Sequence, residues 1–355
     1  MTLYANDVSG PNRSSRRAWL IALILGIGAL FANPASACDV SPSIATSLGS
    51  FSPAAVRAAA VPALQSRAGL TCSSGVLTLL GGNYIRATFQ SKNGLTLKQA
   101  GGAGTAISYV LSADPGGTVV ATQNGTIDYM QNNLLNILGL LGGSSADLPF
   151  YVKPSATSVP PVGTYTDSVT IKWNWYLCQG VGALGLCVLN EDKGTGQTVV
   201  DITLTVTPKN MVVSTSSQTT WDPINNTSSP KAIPGSKQRI SISMNNPDIV
   251  PTDTGITVVV PVNNRQSLAL DGDGTSGGST AIQSTTGTAT SLTYSSAAST
   301  SDDVDFSSDG GATWVYAPVQ GDLASQKIVN AIRFRPRGGL AAGATFVVSF
   351  PVLTQ

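Results

Sequence analysis

Ser168-Val169-Thr170-Ile171-Lys172-Trp173-Asn174-Trp175-Tyr176 alternates without a break. Val169, Ile171, Trp173 and Trp175 fall on one face of an extended chain; Thr170, Lys172 and Asn174 fall on the other. A two-residue period with two indoles on its apolar face predicts a strand half-buried in a sheet. The stretch 198–207 repeats the pattern: Val200, Ile202, Leu204 and Val206 share a face opposite Asp201, Thr203 and Thr205. Between the two lie an apolar Gly-rich hairpin bracketed by Cys178 and Cys187 and, at Gly194-Thr195-Gly196, a predicted turn. Pro208-Lys209 follows as a predicted boundary.

Shorter β-prone runs extend in both directions. Residues 75–79 and 84–89 are separated by Gly-Gly-Asn, and Asn93-Gly94 predicts a tight hairpin turn. Residues 106–111 run into the turn Asp114-Pro115-Gly116-Gly117. Beyond the boundary, 239–244 and 332–335 alternate, 256–260 reads as a fully buried run, and Phe346, Val348, Phe350 and Val352 share the face of a closing strand. Only 132–141 could hold a short helix, cut off by Gly139, Gly142 and Gly143. The Ser/Thr/Gly-rich stretch 267–301 predicts long loops or an exposed hairpin. Many short strands punctuated by Gly, Pro and Asn predict an all-β chain of two Ig-like sandwiches in tandem.

Composition agrees. Charged residues make up 11% of the 355, against about 25% in ordinary soluble proteins. Strand and turn formers dominate over helix formers. The net charge of +1 carries no basic block beyond the N-terminus, so a charged nucleic-acid surface is unsupported. The chain contains no histidine, which removes His-dependent triads, His zinc sites and imidazole switches. Carboxylate or Ser-Lys chemistry is not excluded on that ground.

Arg16 and Arg17, an apolar run over 18–32 and Ala35-Ser36-Ala37 before Cys38 form the three parts of a signal peptide at 1–37. The run is shorter than the ~20 residues of a membrane span, so the mature chain, 38–355, carries none and is expected in the periplasm, on the outer surface or secreted. The twin Arg also matches a twin-arginine signal, and Ala35–Cys38 partly matches a lipoprotein box whose Leu is here Ala. Cys38, Cys72, Cys178 and Cys187 then face an oxidising compartment as structural staples. Three connectivities are open. Cys38–Cys72 with Cys178–Cys187 is favoured, because the second pair brackets a short hairpin. Neither spacing suits zinc.

From Cys38 to about Pro208 the chain resembles the spore coat protein U domain, the pilin-like module of archaic chaperone–usher pili. Cys38-Asp39-Val40, Leu48-Gly49-Ser50-Phe51-Ser52-Pro53, Thr71-Cys72, Arg86, Tyr109-x-Leu111-x-x-Asp114 and Pro161-x-Gly163-x-Tyr165-x-Asp167-x-Val169-x-Ile171 carry the resemblance in order. From 210 to 355 it resembles β-sandwich repeats of bacterial surface proteins, of the IPG type, through Asp222-Pro223, Ile233-Pro234-Gly235 within 230–236, 306–314 and Gly343-x-x-Phe346-x-Val348-x-Phe350. The expected modules are a signal peptide at 1–37, a pilin-like sandwich at 38–208 and a repeat-like sandwich at 209–355.

The first resemblance implies a sandwich that lacks its last strand and receives one from a neighbouring subunit, covered meanwhile by a chaperone. This chain departs from that pattern. No extension precedes Cys38 after processing, and the alternating strand carrying Val200, Ile202, Leu204 and Val206 is expected to fill the groove from within. The second sandwich has its own final strand and shows no gap in the sequence. The expected role is therefore terminal or stand-alone, with a pilus chaperone, usher or pilus subunits as partners. Two apolar loops are candidate contacts with apolar or host surfaces: Leu134, Leu135, Ile137, Leu138, Leu140 and Leu141 in one, and Val181, Leu184 and Leu186 in the other.

No catalytic, metal or cofactor site is expected. Asp271-Gly272-Asp273-Gly274 resembles the start of a calcium loop without its remaining ligands, and 301–305 is a second carboxylate cluster. The expectation is a non-enzymatic cell-surface structural or adhesive protein. The alternative is a secreted carbohydrate-binding or hydrolytic protein using the acidic loops of the second domain.

Overall fold

The chain is described by a computed structural model covering residues 38–72, 82–99, 101, 105–131, 146–178, 182–183, 186–187, 191–252, 255–274, 280–285 and 289–355. The run around Trp173 lies inside a 16-residue strand, β10 (Gly163–Cys178), with Val169, Ile171, Trp173 and Trp175 buried. Before it come β1 (Cys38–Val40), β2 (Ser43–Phe51), β3 (Leu64–Cys72), β4 (Tyr84–Ser91), β5 (Thr96–Gln99), β6 (Ile107–Ser112), β7 (Val120–Ala121), β8 (Thr126–Asp128) and β9 (Ala146–Ser155). After it come β11 (Gly182–Ala183), β12 (Leu186–Cys187) and β13 (Glu191–Val206). The path β1-β3-β9-β6-β5-β10-β13-β2 wraps one apolar core, with β4 also on β10. Phe89, Tyr129, Phe150 and Trp173 are among the side chains that fill it.

Two expected turns change here. The chain does not reverse at Asn93-Gly94: β4 and β5 follow one another along β10, pairing Ser91 with Val169 and Lys98 with Thr166. The dipeptide makes a jog instead, with Gly94 and Leu95 both at positive φ. Gly194-Thr195-Gly196 is strand, not turn, and pairs with Trp175, Asn174 and Trp173. A Cβ on Gly194 would sit 2.3 Å from Cζ2 of Trp175, so glycine here admits an indole rather than bending the chain. Replacing Gly194 with Ala should cost ~1–3 kcal/mol through overpacking and perturb tryptophan fluorescence, whereas Thr195→Ala should be near neutral. Equal urea midpoints for the two variants would contradict the packing.

Two helices form where none was expected, α1 (Pro53–Arg57) and α2 (Leu323–Ile328). Each is a short run started by its cap: Ser52 accepts from the Ala55 N–H with Pro53 following, and Asp322 accepts from the Ala324 and Ser325 N–H groups. The stretch 132–141 lies outside the described residues.

The remaining strands are β14 (Val212–Trp221), β15 (Lys237–Asn245), β16 (Val258–Pro261), β17 (Gln266–Leu268), β18 (Gln283–Ser284), β19 (Val304–Ser307), β20 (Ala331–Phe334) and β21 (Thr345–Thr354). A five-stranded sheet, β14-β15-β21-β17 with β18 also on β21, faces a three-stranded sheet, β16-β20-β19. Ile242, Met244, Phe306, Phe334, Phe346 and Phe350 lie in the core between them. No ladder among the described strands joins this set to the first.

The stretch 267–301 is not simply exposed loop. It supplies β18 and part of β17, and Leu268, Leu270, Ala281 and Ile282 are buried, so scattered apolar residues among Ser and Gly carry core contacts. The 256–260 run proves to be an edge strand with one wet face: Val259 is exposed, while Ile256, Val258 and Val260 are half-buried. No helix among the described residues is long and apolar enough to cross a membrane.

Candidate functional site

The arrangement that distinguishes the first unit is the seam at β13. Its period-2 pattern places Val200, Ile202, Leu204 and Val206 in the core, each almost wholly buried. Over its whole length β13 pairs antiparallel with β10, from Val206 opposite Gly163 to Glu191 opposite Cys178. Along its second half it also pairs in parallel with β2, from Val199 opposite Ser43 to Val206 opposite Phe51. It is an interior strand, with both backbone edges engaged where its apolar residues lie.

Neighbouring elements lock the seam. Gly69, at φ +83 in a bulge of β3, leaves room for Thr198, which is completely buried. The Thr198 hydroxyl accepts from the indole N–H of Trp173 at 3.3 Å and contacts the Gly69 carbonyl at 3.5 Å. Cys38 and Cys72 stand directly opposite on β1 and β3 and form one disulfide. The Cys38 N–H donates to Asp192 of β13 at 3.1 Å. A second disulfide joins Cys178 at the end of β10 to Cys187 on β12.

A buried polar node holds the other end. Asp167 of β10 accepts from the Tyr109 hydroxyl at 2.6 Å, the Ser91 hydroxyl at 2.5 Å and the Asn93 N–H at 3.1 Å. Ser91 Oγ in turn accepts from the Leu95 N–H at 2.7 Å, which fixes the jog between β4 and β5. Burial and the adjacent Asp167 carboxylate push the Tyr109 phenol well above its ordinary pKa, so Tyr109 stays a neutral donor. Asp114, from the same motif, accepts from the Thr118 and Val119 N–H groups and shapes the β6–β7 turn. These motif residues hold local structure: Tyr109 and Asp167 tie β6 to β10, and Asp114 shapes a turn.

Of the predicted contact-loop residues, Leu134, Leu135, Ile137, Leu138, Leu140, Leu141, Val181 and Leu184 lie outside the described residues. Leu186 sits on β12, paired with Ala183.

The second unit is sealed on one side and open on the other. At the β17 and β19 ends, α2 packs near β17, and Tyr316, bridged to Phe306 of β19, donates its hydroxyl to the Ser325 carbonyl of α2 at 3.0 Å. At the opposite ends stand β14 and β16. Val213, Thr215 and Ser217 face the same way as the core residues Met244, Ile242 and Ile240. Yet Val213 is 49% exposed and Thr215 and Ser217 are exposed as well. The sequence showed no gap here; the structure leaves β14 an uncharged edge strand whose inward face is uncovered.

Asp273, Asp302 and Asp303 of the acidic loops turn inward, while Asp271 stays exposed beside Lys237. Asp273 is fully buried against Arg239, with Oδ2 2.7 Å from Nε. Asp303 bonds Arg337 and Thr293, and Asp302 bonds Ser295. Among the described residues, no three His, Cys, Asp or Glu side chains gather as a metal site.

Two turn carboxylates carry an acid dependence. Burial raises the Asp222 pKa but is outweighed by N–H donors from Asn225, Lys231 and Ile224, which leave it at about 2. Hydrogen bonds from Ser307 and Thr313 hold Asp309 at about 2. Both lie below the unfolded value of about 3.9, so their stabilisation is present above that pH and is lost as pH falls toward about 2. The second unit's melting temperature should therefore drop between about pH 4 and pH 2, less steeply in Asp309→Asn. A flat profile in that window would contradict the assignment.

Residues 28–172 match the model of the Spore Coat Protein U domain. The match ends inside β10, before β13. No curated protein matches the chain. Among solved structures, a chain of the CsuC–CsuE chaperone–tip adhesion subunit pre-assembly complex from archaic chaperone–usher Csu pili of Acinetobacter baumannii is similar at 15% identity and TM-score 0.38, over 88% of this chain and 100% of that one. The CupB6 tip adhesin of Pseudomonas aeruginosa is similar at 13% identity and TM-score 0.28, over 48% of this chain and 44% of that one. The C-terminal domain of the Streptococcus agalactiae AgI/II polypeptide BspA gives 9% identity and TM-score 0.16, over 80% and 82%.

Proposed function

We propose that this chain is an exported, non-enzymatic surface subunit of the archaic chaperone–usher type, placed at the end of a fibre. Its first module, 38–208, is completed by its own β13. Its second, the repeat-like sandwich at 209–355, takes a strand from a neighbour beside β14. The observation that carries the reading is the insertion of β13 between β10 and β2 with four apolar side chains in the core. A module so filled offers no vacancy to a donor strand. The Spore Coat Protein U match over 28–172 supports the family context, and the two disulfides support an oxidising compartment. The open β14 edge favours a terminal subunit over a stand-alone protein. The apolar loops carrying Leu134–Leu141 and Val181–Leu186 are the proposed contact surface. The hydrolytic alternative finds no support, because Asp273, Asp303 and Asp305 are tied to arginines.

The test is periplasmic expression of the mature chain with and without a pilus chaperone, followed by light scattering. With the chaperone, a one-to-one complex is expected, with Thr215→Cys crosslinking to it. A stable monomer that ignores the chaperone would make the protein stand-alone and overturn the terminal placement.

A further inference from the structure

The acidic cluster and the Trp314 motif converge on a groove that strand pairing does not use. We propose that this groove, between residues 297–300 and 314–317 of the second unit, binds a carboxylated saccharide through Arg333, Arg335, Trp314 and Tyr316. Its volume is about 300 Å³, at the lower end of the ~300–1,000 Å³ of small-molecule sites. An adjoining cleft of about 380 Å³ shares Ala297, Ala298 and Ala317 with it and adds Tyr294 and Pro318, leaving room for more than one sugar ring.

The chemistry points to an acid. Arg333 and Arg335 alternate outward at β20 and share one carboxylate: Asp305 lies 2.8 Å from Nη2 of Arg333 and 2.9 Å from Nε of Arg335. Asp302 and Asp303 stand beside the pair and Arg337 is bound to Asp303, so the cluster is balanced in charge and recognition falls to the N–H donors left over. Asp305 and the Asp302 carbonyl engage only some of the N–H donors that two guanidinium groups carry. A planar guanidinium matches a carboxylate in bidentate fashion. Arg335 keeps 41% of its side chain exposed, so it remains approachable.

The aromatic walls point to a sugar. Trp314 and Tyr316 line the groove, and the C–H faces of a pyranose pack on such rings while hydroxyls reach the Arg–Asp pairs. The site is pre-organised. Arg333 holds the indole at 4.8 Å from its ring centroid, and Asp309, bonded to Ser307 and Thr313, fixes the loop ahead of Trp314. Gly311, at positive φ, lies against the indole edge.

Isothermal titration calorimetry on the mature chain tests this with trigalacturonate, galacturonic acid and neutral maltotriose. Trigalacturonate should bind, weaken with salt, and lose at least tenfold in affinity in Arg335→Gln and in Trp314→Ala. Ala317→Leu, which fills the groove from an exposed position without adding charge, should do the same with the melting temperature unchanged. Galacturonic acid binding as tightly as the trimer would overturn the extended site. Equal or tighter binding of maltotriose would overturn the acidic class. No binding of trigalacturonate, or unchanged binding in Ala317→Leu, would overturn the site itself. The outcome does not depend on the β13 seam.

Discussion

Ile202→Asp should unfold the first unit at room temperature while the second keeps its own melting transition. Ile202 is completely buried on β13 between β10 and β2. Truncating such a side chain costs ~2–5 kcal/mol, and an unpaired carboxylate in its place adds a desolvation penalty of several kcal/mol. The sum rivals the whole stability of a typical domain, about 5–15 kcal/mol. Asp201→Asn, one residue away on the exposed face, should change little. Near-UV circular dichroism, which follows Trp173 and Trp175, would report the collapse. A variant with Ile202→Asp that keeps a separate melting transition for the first unit, beside that of the second, would mean that β13 is dispensable to the core.

The second large effect belongs to Asp167. Removing its carboxylate in Asp167→Ala strands the Tyr109 and Ser91 hydroxyls in a buried pocket, while the half-buried Asn93 N–H keeps Ser91 Oγ as an acceptor. Each unpaired buried group costs ~1–3 kcal/mol, so a loss of about 3 kcal/mol or more is expected in urea denaturation. Tyr109→Phe alone should cost less. The double variant should fall short of the sum, because both changes break one network. A loss below about 1 kcal/mol for Asp167→Ala, or strict additivity with Tyr109→Phe, would show that the node does not hold the jog.

What could be read from the residues alone follows their physical range. β10, β13 and β21 announce themselves because a half-buried strand writes its burial into a local two-residue period. Gly194 and Gly196 misled because glycine marks both turns and close approaches, and only the position of the Trp175 ring separates the two. The role of Asp167 was hidden for a different reason: its partner Ser91 is 76 residues away in sequence, and no local pattern encodes that distance. β14 was missed because neither of its faces is buried. Val-Val-Ser-Thr-Ser-Ser-Gln-Thr-Thr-Trp therefore carries no clear alternation, although the absence of charge and proline was visible. The helices capped by Ser52 and Asp322 went unread because they are too short to show a 3.6-residue period.

These same features decide the functional reading. On the proposed reading, a first unit filled by its own strand and a second unit with an uncovered edge would give the chain one end that receives a strand and one that does not. That polarity is what a terminal subunit requires, and it rests on β13 belonging to the first core in solution.

The most direct measurement is size-exclusion chromatography with light scattering on residues 38–208 produced in the periplasm without any chaperone. A soluble monomer with both disulfides formed is the predicted result, since β13 closes the sandwich from within. Aggregation relieved only by a co-expressed pilus chaperone or an added donor peptide would contradict self-completion.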